Sequence, residues 1–504
     1  MSMNNLLEEI RQGTDVRKNL IRLRESLKEE EQKKALAYQL AGDFSVFTEL
    51  LKHEDAKVRK NAALIMSDME CEDLILPIWE AYCREETLYI RGDLMRALSR
   101  FDCSAYLSQM KERMEEMNRM TPLPEEEKHF NAEHTQLKHV ILANDPPKKH
   151  KFSGFGRKHE LILMTNRNHR EATRKQIDGP VKYLAGGIRF QTDNIKPILM
   201  LRTYSEMLFP VQNCPVLTGS PEHMAEQLME SDMYDFLQDN HDWGDPFYFR
   251  LEVRAPFIQN QRIDLVKKLS AAIERVSKGK FMNATSEYEI ELRLVAGRDG
   301  RFIPLLKLFT LPDWRFAYRK ECLPTSIAPV NAALIMELAG EYFAENSQVL
   351  DPFCGAGTML IERNIKLRTK SLYGIDILEE AVEKARVNAE EARIPINFIN
   401  RDFLDFHHDY LFDEVITNLP AEGKTRDRES VQYLYNRFLD KLPEVVKEGA
   451  VIVAYCPSHQ NLLDCLRNRK EYHMLKEYCL NERDDSYVHI FRYGNKKDKA
   501  KKEA

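Results

Sequence analysis

The first 142 residues place apolar side chains at helical spacing throughout, with few Gly or Pro residues and no strand-like alternation. Three Val/Ile-Arg pairs each precede a run rich in Ala and Leu: Val16-Arg17, Val58-Arg59 and Ile90-Arg91. The pairs are 42 and then 32 residues apart, close to the period of two-helix repeats. Each helix pair of such a repeat buries its apolar face on its neighbour. We therefore predict an α-solenoid over residues 1–142, with an irregular helical bundle as the alternative.

Residues 159–312 mix strand and helix patterns and predict an α+β domain. Short apolar or alternating runs predict strands, and one segment with apolar residues at helical spacing predicts a helix. The predicted strands are 159–165, 195–202, 247–255, 287–295 and 301–309, and the predicted helix is 264–276. Gly297 and Gly300 mark a turn between the last two strands.

From residue 313 to 494, predicted strands alternate with predicted helices, which is typical of a parallel sheet. The strands are predicted at 347–353, 371–377, 397–403, 413–420 and 449–457, the helices at 358–367, 379–392 and 433–446, and a closing hairpin at 474–494. Residues 495–504 form a charged tail. The chain is therefore expected to be multidomain, with a C-terminal α/β domain.

The charge of the chain excludes a uniformly basic surface, because 74 Lys and Arg residues face 80 Asp and Glu residues. Residues 145–176 nevertheless contain nine Lys/Arg against three Asp/Glu, interleaved with aromatic residues. Such a mixture suits phosphates and unstacked bases, although a solvated linker is an equal alternative. We predict a basic linker over 143–158. The RNA-contacting candidates within it are Lys148, Lys149, Lys151, Arg157 and Lys158.

Cysteine usage and hydropathy bear on the compartment. The nine Cys residues are scattered without a CxxC pair, which argues against a disulfide framework or a metal site. No apolar run of about 18 residues occurs, and the first twenty residues lack the apolar core of a signal peptide. We expect a cytoplasmic protein without a membrane segment or a bound metal.

The segment Asp351-Pro-Phe-Cys-Gly355-Ala-Gly357-Thr358 lies between a predicted strand and a predicted helix. Its two glycines let the backbone turn tightly and approach a ligand at the start of the helix. Leu360 occupies the position of the third glycine in dinucleotide-binding loops, which disfavours a nicotinamide cofactor. Asp376 ends the next predicted strand, where a carboxylate can accept hydrogen bonds from both hydroxyls of a ribose.

The sequence DPFCGAGTMLIE at 351–362 resembles the first motif of class I S-adenosylmethionine-dependent N-methyltransferases, specifically the group joined to THUMP domains. The resemblance implies a Rossmann-like methyltransferase domain over 313–494 and S-adenosyl-L-methionine as cofactor. It further implies a THUMP-like RNA-binding domain over 159–312, with an unrelated α+β insert as the alternative. It also implies these cofactor-binding residues: Asp351, Phe353, Gly355, Gly357, Thr358, Asp376, Ile377, Asp402, Phe403 and Asn418.

Within that set, the resemblance assigns the methionine end to Asp351 and the glycine loop, the ribose to Asp376 and the adenine amine to Asp402. Residues 318–338 resemble the segment that covers the cofactor in this family. The N-terminal region lies outside the usual family pattern and resembles HEAT repeats.

The predicted fourth strand of the sheet ends in Asn418-Leu419-Pro420-Ala421, where the family has Asn/Asp-Pro-Pro and an aromatic residue. The Asn418 amide oxygen and the Leu419 carbonyl can orient an exocyclic amine toward a methyl donor, and Pro420 stiffens the turn. Proximity then supplies most of the rate enhancement. We predict Asn418, Leu419 and Pro420 as the catalytic residues.

Ala421 departs from the family because it lacks the ring that stacks on the target base, a contact worth about 1–3 kcal/mol. The base would then rest on another side chain, such as Tyr455 or one in the 422–430 loop, or activity would be weak or lost. Lys424 and Arg426 are candidates for phosphate binding, with a solvated loop as the alternative. Cys354 lies inside the cofactor loop, and we expect no covalent role for it.

These patterns together predict an RNA N-methyltransferase. By resemblance, the expected product is N2-methylguanosine in tRNA. One alternative is methylation of adenine N6 in rRNA or DNA. Another is a catalytically inactive RNA-binding scaffold. The helical repeats would extend the RNA surface or recruit a protein partner.

Overall fold

The computed structural model describes residues 3–120, 122–145, 149–214, 216–242, 244, 246–297, 299–423, 426–457 and 459–494. Its largest buried apolar clusters follow the chain in order. One runs from Leu7 to Ile141 and another from Phe152 to Leu308. Two more fill the faces of the C-terminal sheet.

The N-terminal region is helical, as the sequence predicts. Its helices are α1 (Met3–Arg11), α2 (Val16–Ser26), α3 (Glu30–Leu40), α4 (Ser45–Leu50), α5 (Ala56–Asp68), α6 (Ile75–Arg84), α7 (Leu88–Leu98), α8 (Leu107–Arg119) and α9 (Glu127–Asn144). The helices α1 and α2, α4 and α5, α6 and α7, and α8 and α9 pack as pairs. Helices α2, α5, α7 and α9 then pack one against the next, so the pairs form a stack.

The Val/Ile-Arg pairs lie at or near the starts of α2, α5 and α7. Arg59 donates to the His53 carbonyl in the loop before its helix and forms an ion pair with Glu85 at 2.7 Å. Arg91 likewise donates to the Glu85 carbonyl and forms an ion pair with Glu133 at 3.0 Å. Two successive arginines thus fix the preceding loop and bind a carboxylate beyond their own helix.

The central region is an α+β domain around an eight-stranded sheet of order β2-β3-β1-β4-β8-β7-β5-β6. The strands are β1 (His159–Thr165), β2 (Val181–Leu184), β3 (Gly187–Thr192), β4 (Tyr204–Pro210), β5 (Phe247–Arg254), β6 (Phe281–Asn283), β7 (Ile290–Ala296) and β8 (Phe302–Leu308). The helices are α10 (Arg170–Arg174), α11 (Lys196–Leu199), α12 (Pro221–Glu230), α13 (Met233–Asp239) and α14 (Gln259–Val276).

The strand predicted at 195–202 is wrong, because α11 occupies its centre and β4 begins only at Tyr204. The Asn194 side chain accepts a hydrogen bond from the Lys196 N–H at 3.1 Å, and Pro197 lies in the first turn. Proline is well tolerated there because its fixed φ suits a helix start. The hairpin of β2 and β3 has no counterpart in the sequence prediction.

The basic segment predicted as a linker packs on the central domain where it is described. His150 is buried and stacks on Phe247 with ring centroids 4.3 Å apart, and Phe152 belongs to the domain core. Lys149 forms an ion pair with Glu287 at 2.7 Å. Residues 149–158 are therefore part of the domain rather than a solvated connector.

The C-terminal region contains a seven-stranded sheet of order β11-β10-β9-β12-β13-β15-β14. The strands are β9 (Gln348–Asp351), β10 (Ser371–Asp376), β11 (Asn397–Asn400), β12 (Phe412–Asn418), β13 (Val446–Cys456), β14 (Tyr472–Asn481) and β15 (Ser486–Tyr493). The helices are α15 (Pro329–Leu338), α16 (Thr358–Lys366), α17 (Glu379–Ala392), α18 (Arg428–Val445) and α19 (His459–Leu466).

Strands β9 to β13 run parallel, and β15 joins them antiparallel. The predicted alternation and the closing hairpin are thus confirmed, and the carboxyl ends of the parallel strands share one edge. The charged tail 495–504 lies outside the described residues.

Polar contacts join the three regions. Lys138 of α9 contacts Glu274 and the Asn283 carbonyl of the central domain. Arg202 of the central domain forms an ion pair with Glu362 of α16 at 2.6 Å. Within the described chain, no helix combines the length and the apolar character that crossing a bilayer requires.

Candidate active site

The loop after β9 turns back into α16 through two glycines with positive φ, Gly355 at +50° and Gly357 at +79°. Residues other than glycine rarely adopt this conformation. A Cβ at Gly357 would lie 3.1 Å from the Phe398 ring, so this position also needs glycine for packing. At Gly355 the nearest atom would be the Leu323 Cδ1 at 4.0 Å, which leaves space for a ligand beside the backbone.

Asp351 lies at the base of this loop and is completely buried. Its Oδ1 accepts a hydrogen bond from the Phe353 N–H at 3.1 Å, whereas its Oδ2 has no partner in the described structure. Burial has the largest effect on the pKa of Asp351 and raises it to about 7, whereas the Thr417 hydroxyl beside it lowers that pKa. This unsatisfied carboxyl group suits a ligand that carries an ammonium group, because the cation would both pair with the charge and donate hydrogen bonds.

Asp376 ends β10 and holds two loops with its carboxylate. Oδ2 accepts from the Gly355 N–H at 2.9 Å, and Oδ1 accepts from the Leu378 N–H at 3.0 Å. Each oxygen keeps a lone pair, so the partly exposed group can still accept hydrogen bonds from a diol. The adjacent Ile377 side chain is 61% exposed and offers an apolar surface.

Asp402 and Phe403 follow β11, and only the first presents its side chain to this edge. The Asp402 carboxylate accepts from the Leu404 N–H at 2.9 Å and starts a short 3₁₀ turn. The Phe403 ring is buried and lies between the rings of Phe353 and Phe438, at 6.1 Å and 6.0 Å. The Phe403 side chain therefore belongs to the core, which leaves its backbone as the part able to bind a cofactor.

The cover segment, residues 318–328 before α15, lies over the sheet edge. This position agrees with the family resemblance of residues 318–338. Leu323 approaches Gly355, and the Thr325 carbonyl accepts from the Asn418 Nδ2 at 3.5 Å. The cover segment therefore bridges the glycine loop and the end of β12. Asn388 of α17 belongs to no motif recognised in the sequence. Its side chain forms hydrogen bonds with the backbone of Glu321 in this segment and with the Ala356 carbonyl of the glycine loop.

The end of β12 has a fixed backbone conformation. Asn418 pairs in register with Tyr455 of β13, and the Leu419 N–H donates to the Tyr455 carbonyl at 2.9 Å. The Pro420 carbonyl accepts from the Tyr435 hydroxyl at 2.8 Å, and the Leu419 side chain is buried. Because the Asn418 Nδ2 points to Thr325, its Oδ1 remains available as an acceptor.

The described RNA-binding candidates of the basic segment pack on the central domain, whereas Arg426 lies in the loop that follows the end of β12. Lys149 and Arg157 form ion pairs with Glu287 and Asp239 of the central domain, while Lys151 and Lys158 are exposed. Arg426 is exposed in the loop before α18. Lys148 and Lys424 lie outside the described residues.

Cys354 is buried in the glycine loop, and burial raises the pKa of its thiol well above the usual range. The group therefore stays protonated at neutral pH and is a poor nucleophile. This agrees with the expectation that it has no covalent role.

Residues 317–485 match the family model of UPF0020, described as an RMKL-like methyltransferase domain. The C-terminal region is therefore similar to a methyltransferase domain. The match covers the glycine loop, Asp376, Asp402 and Asn418, which are the residues gathered at the sheet edge.

Two relatives illustrate the range of similar proteins. The chain is 30% identical over 148 residues to tRNA (guanine(10)-N2)-dimethyltransferase of Methanothermobacter thermautotrophicus, which is 29% of this chain and 43% of that protein. It is 26% identical over 195 residues to ribosomal protein L11 methyltransferase of Dictyoglomus turgidum, which is 34% of this chain and 60% of that protein. The chain thus spans less than two thirds of the length of either curated relative.

Solved structures show the same fold over a longer stretch. TrmN from Thermus thermophilus matches with a TM-score of 0.51 and 18% identity, over 66% of this chain and 99% of that one. SMU.472 complexed with SAH matches with a TM-score of 0.50 and 15% identity, over 67% of this chain and 99% of that one. The likeness in fold therefore extends beyond residues 317–485.

Proposed function

We propose that this protein is an S-adenosyl-L-methionine-dependent RNA methyltransferase that modifies an exocyclic base amine, guanine N2 in tRNA. One observation carries the proposal. Leu323 of the cover segment faces the open space at Gly355 and Thr325 contacts Asn418, so a candidate cofactor site and an amide acceptor lie at one sheet edge.

The chain's own residues fit the cofactor. The unpaired Asp351 carboxyl oxygen would receive the ammonium group of the methionine part, and the open space at Gly355 would admit its chain. The Asp376 carboxylate would accept the ribose hydroxyls, Ile377 would pack on the adenine ring and Asp402 would accept its amine. When bound, the cofactor supplies a methyl group on a sulfonium centre.

The end of β12 would orient the acceptor nitrogen. Two N–H bonds of the base amine donate to the Asn418 Oδ1 and the Leu419 carbonyl, which directs the nitrogen lone pair away from both. The bonds from Leu419 to Tyr455 and from Tyr435 to Pro420 hold these acceptors in place before the base arrives. The nitrogen would gain the methyl group as the carbon–sulfur bond of the sulfonium breaks and S-adenosylhomocysteine leaves, and it would then release one proton to solvent. This transfer requires neither a metal nor a covalent nucleophile.

The choice of RNA and of guanine N2 rests on similarity. The relative named for tRNA guanine N2 dimethylation is 30% identical to this chain over 148 residues, and the sheet-edge residues suit that chemistry. We further propose that the central domain is THUMP-like and binds RNA in the cytoplasm. The stacked helix pairs would be HEAT-like repeats that bind RNA or a protein partner.

The test is incubation with labelled S-adenosylmethionine and undermodified RNA, followed by nucleoside identification. Labelled N2-methylguanosine is expected, with an Asn418→Ala variant as the control. Labelled N6-methyladenosine would favour the adenine alternative. Label in ribosomal protein, the substrate class named for the second relative, would contradict an RNA substrate. Cofactor binding without any transfer would favour the inactive scaffold.

A further inference from the structure

A groove of about 450 Å³ opens at the carboxyl end of β13, beside the candidate active site. Four segments that are distant in sequence form its walls: the loop after β1, the first turn of α15, the end of β13 and the turn between β14 and β15. The residues that line the groove include Arg167, Asn168, Asn331, Tyr455, Arg483 and Asp484.

The central domain and the methyltransferase domain are clamped together along this groove. The Asn166 Nδ2 donates to the Leu480 carbonyl at 2.9 Å, and the Asn168 Nδ2 donates to the Cys479 carbonyl at 3.2 Å. His169 donates to the same Cys479 carbonyl at 2.8 Å. Because several hydrogen bonds fix the loop to β14, the groove is preformed rather than assembled around a ligand.

Tyr455 connects the groove with the end of β12. Its backbone pairs with Asn418, its carbonyl accepts from the Leu419 N–H, and its partly buried side chain lines the groove. The Tyr435 hydroxyl also reaches this turn, but that ring is buried and its hydroxyl is bonded to the Pro420 carbonyl. Tyr455 is therefore placed to supply the stacking surface that Ala421 lacks.

The charges of the groove suit a nucleotide better than a simple anion. Arg167 and Arg483 are exposed, and neither forms an ion pair with another described residue. Each can bind a phosphate group by paired hydrogen bonds. Asp484 and Glu482 lie in the same lining and disfavour a bare anion, but a carboxylate can accept hydrogen bonds from the N–H groups of a base.

We propose that this groove binds the acceptor nucleotide of the RNA substrate, with the base stacked on Tyr455 and a phosphate bound by Arg167. The assignment rests on the proposed function and adds to it the path by which the nucleotide reaches Asn418. The ring of Tyr455 takes the place of the aromatic residue that is absent at position 421.

The experiment compares RNA affinity and the rate of methyl transfer for Tyr455→Ala, Tyr455→Phe and the double variant Tyr455→Ala with Ala421→Phe. Loss of one stacking contact should lower the transfer efficiency of Tyr455→Ala by about 5- to 150-fold. Tyr455→Phe keeps the ring and should remain within about twofold of the wild type. Ala421→Phe should restore part of the loss in the double variant.

Arg167→Ala tests the phosphate contact independently. It should weaken RNA binding and flatten its dependence on salt, because one phosphate contact is lost. Arg301→Ala is the matched control, since Arg301 is an exposed arginine bonded to Asp299 in the turn between β7 and β8. Titration with S-adenosylhomocysteine should give the same affinity for every variant, which shows that the fold is intact.

The inference is overturned if Tyr455→Ala and Arg167→Ala bind RNA and transfer methyl groups as well as the wild type does. It is also overturned if the wild-type protein binds no RNA. Failure of the proposed function gives a different result, in which the wild type binds RNA without transferring a methyl group. In that case, the RNA affinities of Tyr455→Ala and Arg167→Ala would still show whether the groove binds RNA.

Discussion

The side-chain amide of Asn388 forms two hydrogen bonds with the backbone of Glu321. Its Oδ1 accepts from the Glu321 N–H at 3.0 Å, and its Nδ2 donates to the Glu321 carbonyl at 2.9 Å. The same Nδ2 donates to the Ala356 carbonyl at 3.0 Å, inside the glycine loop. One buried side chain thus fixes the position of the cover segment relative to the loop on which the proposed cofactor would lie.

We expect Asn388→Ala to weaken cofactor binding, although Asn388 has no predicted contact with the cofactor. The substitution leaves the buried Ala356 carbonyl and the partly buried backbone groups of Glu321 without this partner, at a cost of up to about 1–3 kcal/mol each. The affinity for S-adenosylhomocysteine should fall about tenfold or more, as measured by calorimetric titration.

Asn364→Ala is the control for this change, because Asn364 accepts hydrogen bonds from the Thr369 N–H and hydroxyl without touching the cover segment. It should destabilise the domain locally and leave cofactor affinity near the wild-type value. Equal losses of affinity in both variants would contradict the role given to Asn388.

The affinity for the cofactor should depend on pH through Asp351. Because burial raises the pKa of Asp351 to about 7, its carboxyl group is partly protonated at neutral pH in the free protein. Binding of an ammonium group favours the carboxylate, so affinity should rise with pH through about 7 and binding should release a proton from this residue. Titrations in buffers of different ionisation enthalpy measure that proton directly.

Asp351→Asn should bind the cofactor more weakly and remove this proton release. It should also raise the thermal stability of the ligand-free protein at pH 8 more than at pH 5. Above about pH 3.9 the unfolded chain has lost the proton that Asp351 keeps in the folded protein. The stability of the wild type therefore falls as pH rises through the folded pKa of Asp351, and the variant lacks this loss. An unchanged proton release in the variant would assign the titration to another group.

Much of the C-terminal fold could be predicted because its strands and helices alternate with clear periodicity. The rule that parallel strands share a carboxyl edge then brings Asp351, Asp376 and Asn418 together. The central domain was harder, since the apolar run at 195–202 fits a buried strand or a helix equally well. The local bond from Lys196 to Asn194 and the position of Pro197 favour the helix, and neither changes the apolar pattern.

The positions of the candidate site residues could be predicted where a single residue follows a strand in a recognisable motif. Contacts between segments that are distant in sequence could not be predicted. Asn388 and Glu321 are separated by most of the domain's first half, so their hydrogen bonds leave no pattern in the sequence. For Phe403 the sequence motif was misleading in the opposite way. Its position after Asp402 suggests that its side chain contacts the cofactor, but its ring is buried in the core. The groove at Tyr455 likewise exists only through the docking of two domains.

His489 should make the stability of the protein depend on acid pH. Burial lowers the pKa of His489 to about 3, and its ring nitrogens contact the Glu477 carboxylate at 3.0 Å and His459 at 3.4 Å. Below its ordinary pKa, the unfolded chain takes up a proton that the folded state excludes, so stability is lost as pH falls. Between pH 7 and pH 5 this group should lower the unfolding free energy, and the Glu477 carboxylate, which favours the charged imidazole, limits the loss to less than about 2 kcal/mol.

His489→Gln removes the titrating group and should reduce that loss, as measured by urea unfolding at both pH values. His473→Gln on the neighbouring strand is the comparison, because in the described structure His473 makes none of the contacts that His489 makes with Glu477 and His459. A variant of His489 whose stability falls with acid as steeply as the wild type would show that other groups govern the loss.

Asn418 should govern methyl transfer without governing cofactor affinity. Asn418→Ala removes one of the two acceptors that orient the amine and should lower the rate of transfer by about 100- to 1000-fold, the usual loss for one preorganised polar group. Asn418→Asp keeps an oxygen acceptor at the same place and should retain more activity than the alanine variant. Binding of S-adenosylhomocysteine should fall much less than the transfer rate in both, because the Asn418 contact with the cover segment at Thr325 is long, at 3.5 Å. Transfer by Asn418→Ala at the wild-type rate would show that the amine is oriented elsewhere, and the catalytic role of the β12 end would have to be abandoned.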